Sequence, residues 1–251
     1  MKFKLLFLLL AFGFVGYSQL NQVDSKGRKQ GLWAKPYEGV NVYQYRGQFK
    51  NDKPTGKFTY YYKSSKVKAV INHDENSNRS VAYFYHEAGT LMSYGIYSNQ
   101  LKDSVWVNFG PSKRVSNTET YKNGTLNGKK IIFYVPTDIN DKSRLAAAVY
   151  NYVDDTLQGD FKELFENQTI MRTGQYSKNK KVGMWISYHP NGKRMMLTKY
   201  RKGQRHGWCL AYDKKGIMSN RQYYYYGQLL EGEKRDAKIA ERKAKGVGPY
   251  E

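Results

Sequence analysis

The 251-residue chain has 42 Lys and Arg against 21 Asp and Glu, for a formal charge of +21 at pH 7, and a single cysteine, Cys209. One cysteine excludes an internal disulfide framework. Hydrophobic residues reach only 40% with 24 tyrosines counted among them, which argues against a thick two-layer core and for a thin, extended sheet whose half-wet faces suit tyrosine.

Met1–Ser18 has the layout of a cleavable export signal. Lys2 and Lys4 precede an apolar run from Leu5 to Val15, and Gly16-Tyr17-Ser18 places small residues at the minus-three and minus-one positions of a cut before Gln19. The competing reading, an uncleaved anchor, needs ~20 apolar residues to span a bilayer, and the run is shorter. Cleavage removes Lys2 and Lys4 and lowers the charge from +21 to +19. The expected location is therefore periplasmic, cell-surface or secreted.

From residue 19 to 232 a 24-residue ruler governs the chain. An aromatic-rich slot recurs at Phe49, His73, Tyr97 and Tyr121, steps 31 residues to Tyr152, and resumes at Tyr176 and Tyr200. Seven residues past each slot stand Gly56, Ser80, Ser104, Gly128, Gly159, Gly183 and Gly207, small residues that mark turns or close backbone approach. Two further on lie Phe58, Ala82, Trp106, Lys130, Phe161, Trp185 and Cys209, and three beyond those the apolar column Tyr61, Tyr85, Phe109, Phe133, Leu164, Tyr188 and Tyr212. Gly89, Gly192 and Gly216 then fall in hairpin-turn contexts. Each unit reads as strand, turn, strand, turn, and the ruler predicts an all-β fold, an elongated single-layer antiparallel sheet of repeated β-hairpins. Degenerate units flank the array, around Asp24, Gly31 and Trp33 at one end and Tyr224 and Glu231 at the other, as repeats with a single neighbour require.

The surplus of the long step is expected in the Pro/Asp/Asn-rich stretch 136–142, as a lengthened hairpin loop. Helix propensity favours a helix over Arg144–Val149 with its three alanines, but the ruler places a strand there. Residues 233–251 form a basic C-terminal tail, expected as a short solvated helix or as disorder.

The segment Tyr45-Arg46-Gly47-Gln48-Phe49 through Gly56-Lys57-Phe58 resembles a MORN repeat. Gly174-Gln175-Tyr176, Gly183-Met184-Trp185, Tyr188 and Asn191-Gly192 resemble the bacterial variant of that repeat, often labelled antitoxin-like. The likeness covers residues 24 to about 232, with departures at His73, Ser80, Ala82, Ser104, Lys130 and Cys209. It implies a row of antiparallel hairpins and an association with membrane proximity, phospholipid or protein binding, and scaffolding. A cytoplasmic antitoxin role conflicts with export.

No catalytic, metal-binding or cofactor-binding residue is predicted. His86 and His189 share one hairpin-turn column, His73 and His206 fall in others, and Cys209 replaces a spine aromatic as a packing thiol. Asp154 and Asp155 read as turn carboxylates. Nucleophile-elbow, zincin and phosphate-loop motifs are absent from the sequence. The expectation is a non-enzymatic exported scaffold that binds a protein partner through aromatic and basic sheet surface. The alternative is an electrostatic binder of anionic lipid or acidic polysaccharide, with nucleic acid made inaccessible by export.

Overall fold

The computed structural model describes residues 19–136, 138 and 140–248; the expected export signal at Met1–Ser18 lies outside them. In chain order the described residues form β1 (Gln22–Val23), β2 (Lys29–Pro36), β3 (Tyr43–Lys50), β4 (Lys53–Tyr61), β5 (Val67–His73), β6 (Arg79–Tyr85), β7 (Leu91–Ser98), β8 (Leu101–Phe109), β9 (Val115–Lys122) and β10 (Thr125–Phe133). There follow β11 (Ala146–Val153), β12 (Thr156–Leu157), β13 (Gly159–Leu164), β14 (Ile170–Ser177), β15 (Lys180–Tyr188), β16 (Arg194–Arg201), β17 (Gln204–Tyr212), β18 (Met218–Tyr225), β19 (Gln228–Leu230) and the helix α1 (Gly232–Ala244). Strands pair antiparallel with their sequence neighbours from β1 to β19, with β12 and β13 both pairing to β11, so the sheet is one open meander. The chain exposes 17439 Å², against about 11,500 Å² for a compact globule of its mass, and among the described residues the strands form a single layer.

The two edges of the meander turn differently. On one edge, pairs such as Asn51-Asp52, Asn99-Gln100 and Lys178-Asn179 sit at positive φ in both positions, the I′ geometry whose twist matches the flanking strands. A residue of the turn also donates its N–H to the preceding unit, as in Asp52 to Lys29 O at 3.1 Å, Asn99 to Asn78 O at 2.9 Å and Gly203 to Lys181 O at 3.0 Å. On the other edge, five-residue loops separate the strands, with Gly89, Gly192 and Gly216 at φ +83°, +80° and +88° in the fourth position. Here Tyr37, Tyr62 and Tyr134 donate their hydroxyls to the main-chain oxygens of Tyr61, Tyr85 and Leu164, and His189 Nε2 donates to that of Tyr212. Both edges thus bind each unit to its neighbour.

The irregular step is confined to one loop. Twelve residues separate β10 from β11 where five separate β15 from β16, and the difference of seven is the surplus in the ruler. Arg114 anchors this loop through the carbonyls of Asp138 and Asp141. The alanine run is strand, with Ala148 paired to Ile132 on one side and Glu163 on the other. Ladder pairing on both sides outweighs the few tenths of a kcal/mol per residue by which alanine favours helix.

The glycine column occupies β-bulges rather than the reversals themselves. Gln48 pairs with Thr55 and Arg46 with Thr59, so Gly47 is opposed by extra residues beginning at Gly56, whose φ is +60°. Ser104 takes the same left-handed conformation at φ +60°. The unit at His73 lacks the bulge: His73 pairs directly with Ser80, residues 74–78 form a longer turn, and Ser80 needs no special φ.

One row of side chains is the core. Phe58, Ala82, Trp106, Phe161, Trp185 and Cys209 are all buried, on the same face. Three of the large rings lie over a glycine of the strand before them: a Cβ on Gly47, Gly95 or Gly174 would come within 2.3 Å of Phe58, Trp106 or Trp185, whereas Phe161 meets the Tyr150 ring instead. Where that glycine is replaced by Ile71 or Thr198, the spine residue shrinks to Ala82 or Cys209. The bulge frees a carbonyl for each indole, Trp106 Nε1 donating to Ile96 O at 3.1 Å and Trp185 Nε1 to Gln175 O at 3.3 Å.

Both ends carry a cover, complete at neither. The Asn21 amide accepts from Ala34 N and donates to Ala34 O, acting as a surrogate strand on the outer edge of β2. The tail, expected as solvated helix or disorder, forms α1 and docks on the last strands: Arg242 is buried, its Nη1 2.8 Å from His206 Nε2, and Lys238 Nζ lies 4.7 Å from the Tyr225 ring centre. Sequence reasoning missed the docking because the inward positions Arg235, Lys238, Ile239 and Arg242 hold one apolar residue among three cations.

A Gly95→Ala substitution tests the ring-over-glycine contact. Alanine in a strand ordinarily gains about 0.5–1 kcal/mol over glycine, but overpacking against Trp106 costs about 1–3 kcal/mol. The expected result in urea unfolding is a net loss of stability that largely disappears in a Trp106→Ala background.

Candidate interaction face

Alternation along the strands divides the predicted residues between two faces. Phe49, Tyr97, Tyr121, Tyr152, Tyr176 and Tyr200 share the spine's face and flank its rings. Tyr97 and Trp106 meet edge to face at 5.0 Å, Tyr176 and Trp185 at 5.1 Å, and Trp185 reaches Tyr200 of the next unit at 5.9 Å. Burial raises the Tyr97 and Tyr176 phenols above their ordinary pKa. Gly56, Gly128, Gly159, Gly183 and Gly207 are backbone devices at positive φ. Tyr188 and Tyr212 end their strands beside the five-residue loops.

This aromatic face is largely consumed by its own packing. Trp106 and Trp185 are 1% and 4% exposed, so neither is available as a contact anchor. Even the lysines here are engaged: Lys102 Nζ sits 4.4 Å from Trp106 and 4.7 Å from Tyr121, and Lys181 Nζ sits 4.2 Å from Trp185 and 5.3 Å from Tyr200. Burial, then the charges of Arg172 and Arg205, pushes the Lys181 ammonium below its ordinary pKa.

At the centre of the array the spine turns polar. Lys130, in the aromatic column, binds Glu119 at 2.7 Å, and Glu119 stands where other units place the glycine under the ring. Tyr121 donates to Glu119 Oε2 at 3.0 Å. Burial opposes ionisation of Glu119, but the hydrogen bonds from Lys130 and Tyr121 outweigh it and hold the carboxyl below its ordinary value. Burial, and then the bond to Glu119, pushes the Tyr121 phenol up to about 12. Glu163 and Arg172 form a second cross-strand pair nearby at 3.4 Å. An ion pair thus substitutes for the ring-on-glycine contact.

Because the Glu119 pKa is lower folded than unfolded, its contribution to stability is present above the unfolded carboxyl value and is lost as the pH falls through the folded one. Lys130→Met leaves that carboxylate without its cation. The expected outcome is a loss of about 1–3 kcal/mol at neutral pH and a flatter acid limb in melting temperature against pH.

The opposite face carries cations with few acidic neighbours, although Arg46, Lys68 and Arg221 lie over the Tyr43, Tyr62 and Trp208 rings. Arg46, Lys57, Lys68, Lys129, Lys162 and Arg221 project from it and are exposed, with Asp103 and Asp160 the acids at its paired positions among the described residues. Val81, Val105 and Met184 lie on the same face at 38%, 50% and 39% exposure. Cations and apolar side chains are therefore interleaved along the array. Alternation places these residues opposite the aromatic columns, and the ruler, which records only the columns, passed over them.

His73, His189, His206 and Cys209 sit in structural contacts. His73 Nδ1 meets Ser80 Oγ at 2.8 Å, and burial lowers its pKa. Cys209 Sγ lies 3.0 Å from Thr198 Oγ1. His206 Nε2 lies 2.8 Å from Arg242 Nη1, and the His206 ring packs against Tyr225 and Tyr226 at 5.3 and 4.6 Å. Among the described residues no group of three or more His, Cys, Asp or Glu could hold a metal, and no helix is long and apolar enough to cross a membrane.

No protein-family model and no curated protein matches the chain.

Proposed function

We propose that the protein is a non-enzymatic, exported interaction scaffold that binds a protein partner through the basic face of its hairpin array. The observation that carries this reading is the division of labour between the faces. Aromatic columns are spent on internal packing, whereas the exposed cations and the interleaved Val81, Val105 and Met184 have few acids to neutralise them. Such a surface suits a partner with acidic and apolar side chains, with steering from the net charge of +19 that remains without Lys2 and Lys4. The likeness of the units to MORN-type repeats and the signal-like Met1–Ser18 support scaffolding and export. The test is retrieval of a cell-envelope protein by purified residues 19–251 at low salt. The Lys57→Glu, Lys129→Glu, Lys162→Glu triple variant is expected to lose that partner while keeping its circular dichroism spectrum, and undiminished retrieval would sink the reading.

A second reading, binding of anionic membrane lipid or acidic polysaccharide, draws on the same cations, each of which contributes about 1 kcal/mol near an anionic surface. Cosedimentation with phosphatidylglycerol vesicles or polygalacturonate should weaken steeply from low to high salt. Binding that ignores salt would rule this version out.

A further inference from the structure

The two ends of the sheet are guarded unequally. At the start, Asn21 closes the edge of β2 through both polar groups of Ala34. At the finish, β18 spans Met218–Tyr225 but pairs with β19 only at Tyr223, Tyr224 and Tyr225. Met218–Gln222 therefore has a partner strand on the β17 side alone. The hairpin register aims the N–H and C=O groups of Ser219 and Arg221 outward, since Tyr225 and Gln228 close the turn as a hydrogen-bonded pair and orientation alternates from there. These residues are exposed, as are Ile217 at 64% and Met218 at 49%. Unpaired strand edge of this kind is a template for another strand.

Beside that edge lies a cavity of about 480 Å³ between Tyr223 and α1, walled by Ile239 and Val247 and bordered by Arg242 and Lys243. Its volume is in the range of side-chain and small-ligand pockets. Arg242 is 8% exposed, and its Nη2 has no hydrogen-bond partner among the described residues. Arg221, Arg242 and Lys243 form no ion pair with a carboxylate among those residues, whereas Arg235, Lys238 and Lys245 do. An open strand edge carrying Arg221 and, two residues on along the same strand at Tyr223, an apolar-walled cavity bordered by Arg242 and Lys243 thus follow one another on β18.

We propose that the open half of β18 and the cavity under α1 form a strand-addition site for an extended acidic segment of a partner protein. Its backbone pairs with Ser219 and Arg221, and one side chain enters the cavity beside Arg242. Charge decides against a second copy as the occupant. Two β18 edges brought together antiparallel would set Arg221 near its own counterpart between chains of formal charge +19 each. The proposal rests on the scaffold reading and adds to it where a partner segment is held.

The test uses the purified chain, a fluorescein-labelled octapeptide of alternating valine and glutamate, and the same peptide with lysine for glutamate, with anisotropy and amide hydrogen exchange as readouts. The acidic peptide is expected to bind and to slow exchange at Ser219 and Arg221 about tenfold or more, with the lysine peptide inert. Ser219→Pro removes one outward N–H without touching the β17 ladder and should weaken binding about tenfold. Should that variant fail to fold, Arg221→Glu gives the same reading, a comparable loss for the acidic peptide. Equal binding of both peptides, unchanged exchange at Ser219 and Arg221, or full affinity in a folded Ser219→Pro chain would overturn the site. So would a dimer in sedimentation that Ser219→Pro dissolves, because the occupant would then be a second copy. Partner retrieval that survives Ser219→Pro but fails in the Lys57, Lys129, Lys162 variant would remove this site and leave the scaffold reading standing.

Discussion

An aromatic ring lying on a glycine of the preceding strand is the contact from which the rest of the array follows. Trp106 on Gly95 and Trp185 on Gly174 bring side chain and backbone closer than any Cβ would permit. Each ring then meets the slot tyrosine of its own unit and the next edge to face. Such pairs contribute about 0.5–1.5 kcal/mol beyond area burial. A lone hairpin is marginal in water, but a ring shared between consecutive units makes each unit's stability depend on its neighbours. The bulges belong to the same device, since the extra residues at the glycine column free the carbonyls that receive the indole N–H groups.

Departures from the repeat follow from that contact. Ile71 with Ala82 and Thr198 with Cys209 shift the bulk toward the preceding strand, a larger side chain at the glycine position facing a smaller one in the spine. Glu119 with Lys130 replaces packing by charge, tolerable because both partners keep hydrogen bonds and neither is fully enclosed. Tyr150 and Phe161 retain two rings by tilting 49° at 5.0 Å. Positions that look worn in a column are compensated one strand away, which column-by-column reading misses.

Because the rings satisfy one another, the basic face is left to the solvent. Much of this was legible in the chain: the positions of strands and reversals, the seven-residue loop surplus, the strand at the alanine run, and the packing role of Cys209. The docking of α1 was not, because three of its four inward residues are cations, of which Lys238 and Arg242 bind through the Tyr225 ring and a His206 nitrogen. Nor was the unguarded half of β18, since an unpaired edge is a property of what lies beside a strand.

The sequence by itself determined the repeat and the faces, because a 24-residue period with alternating side chains encodes local geometry that each unit carries alone. Tertiary structure decided which aromatic groups remain available, how the two ends are closed, and where cations stand without partners. Those depend on contacts between residues in different strands, and there the size of one side chain is set by the absence of another.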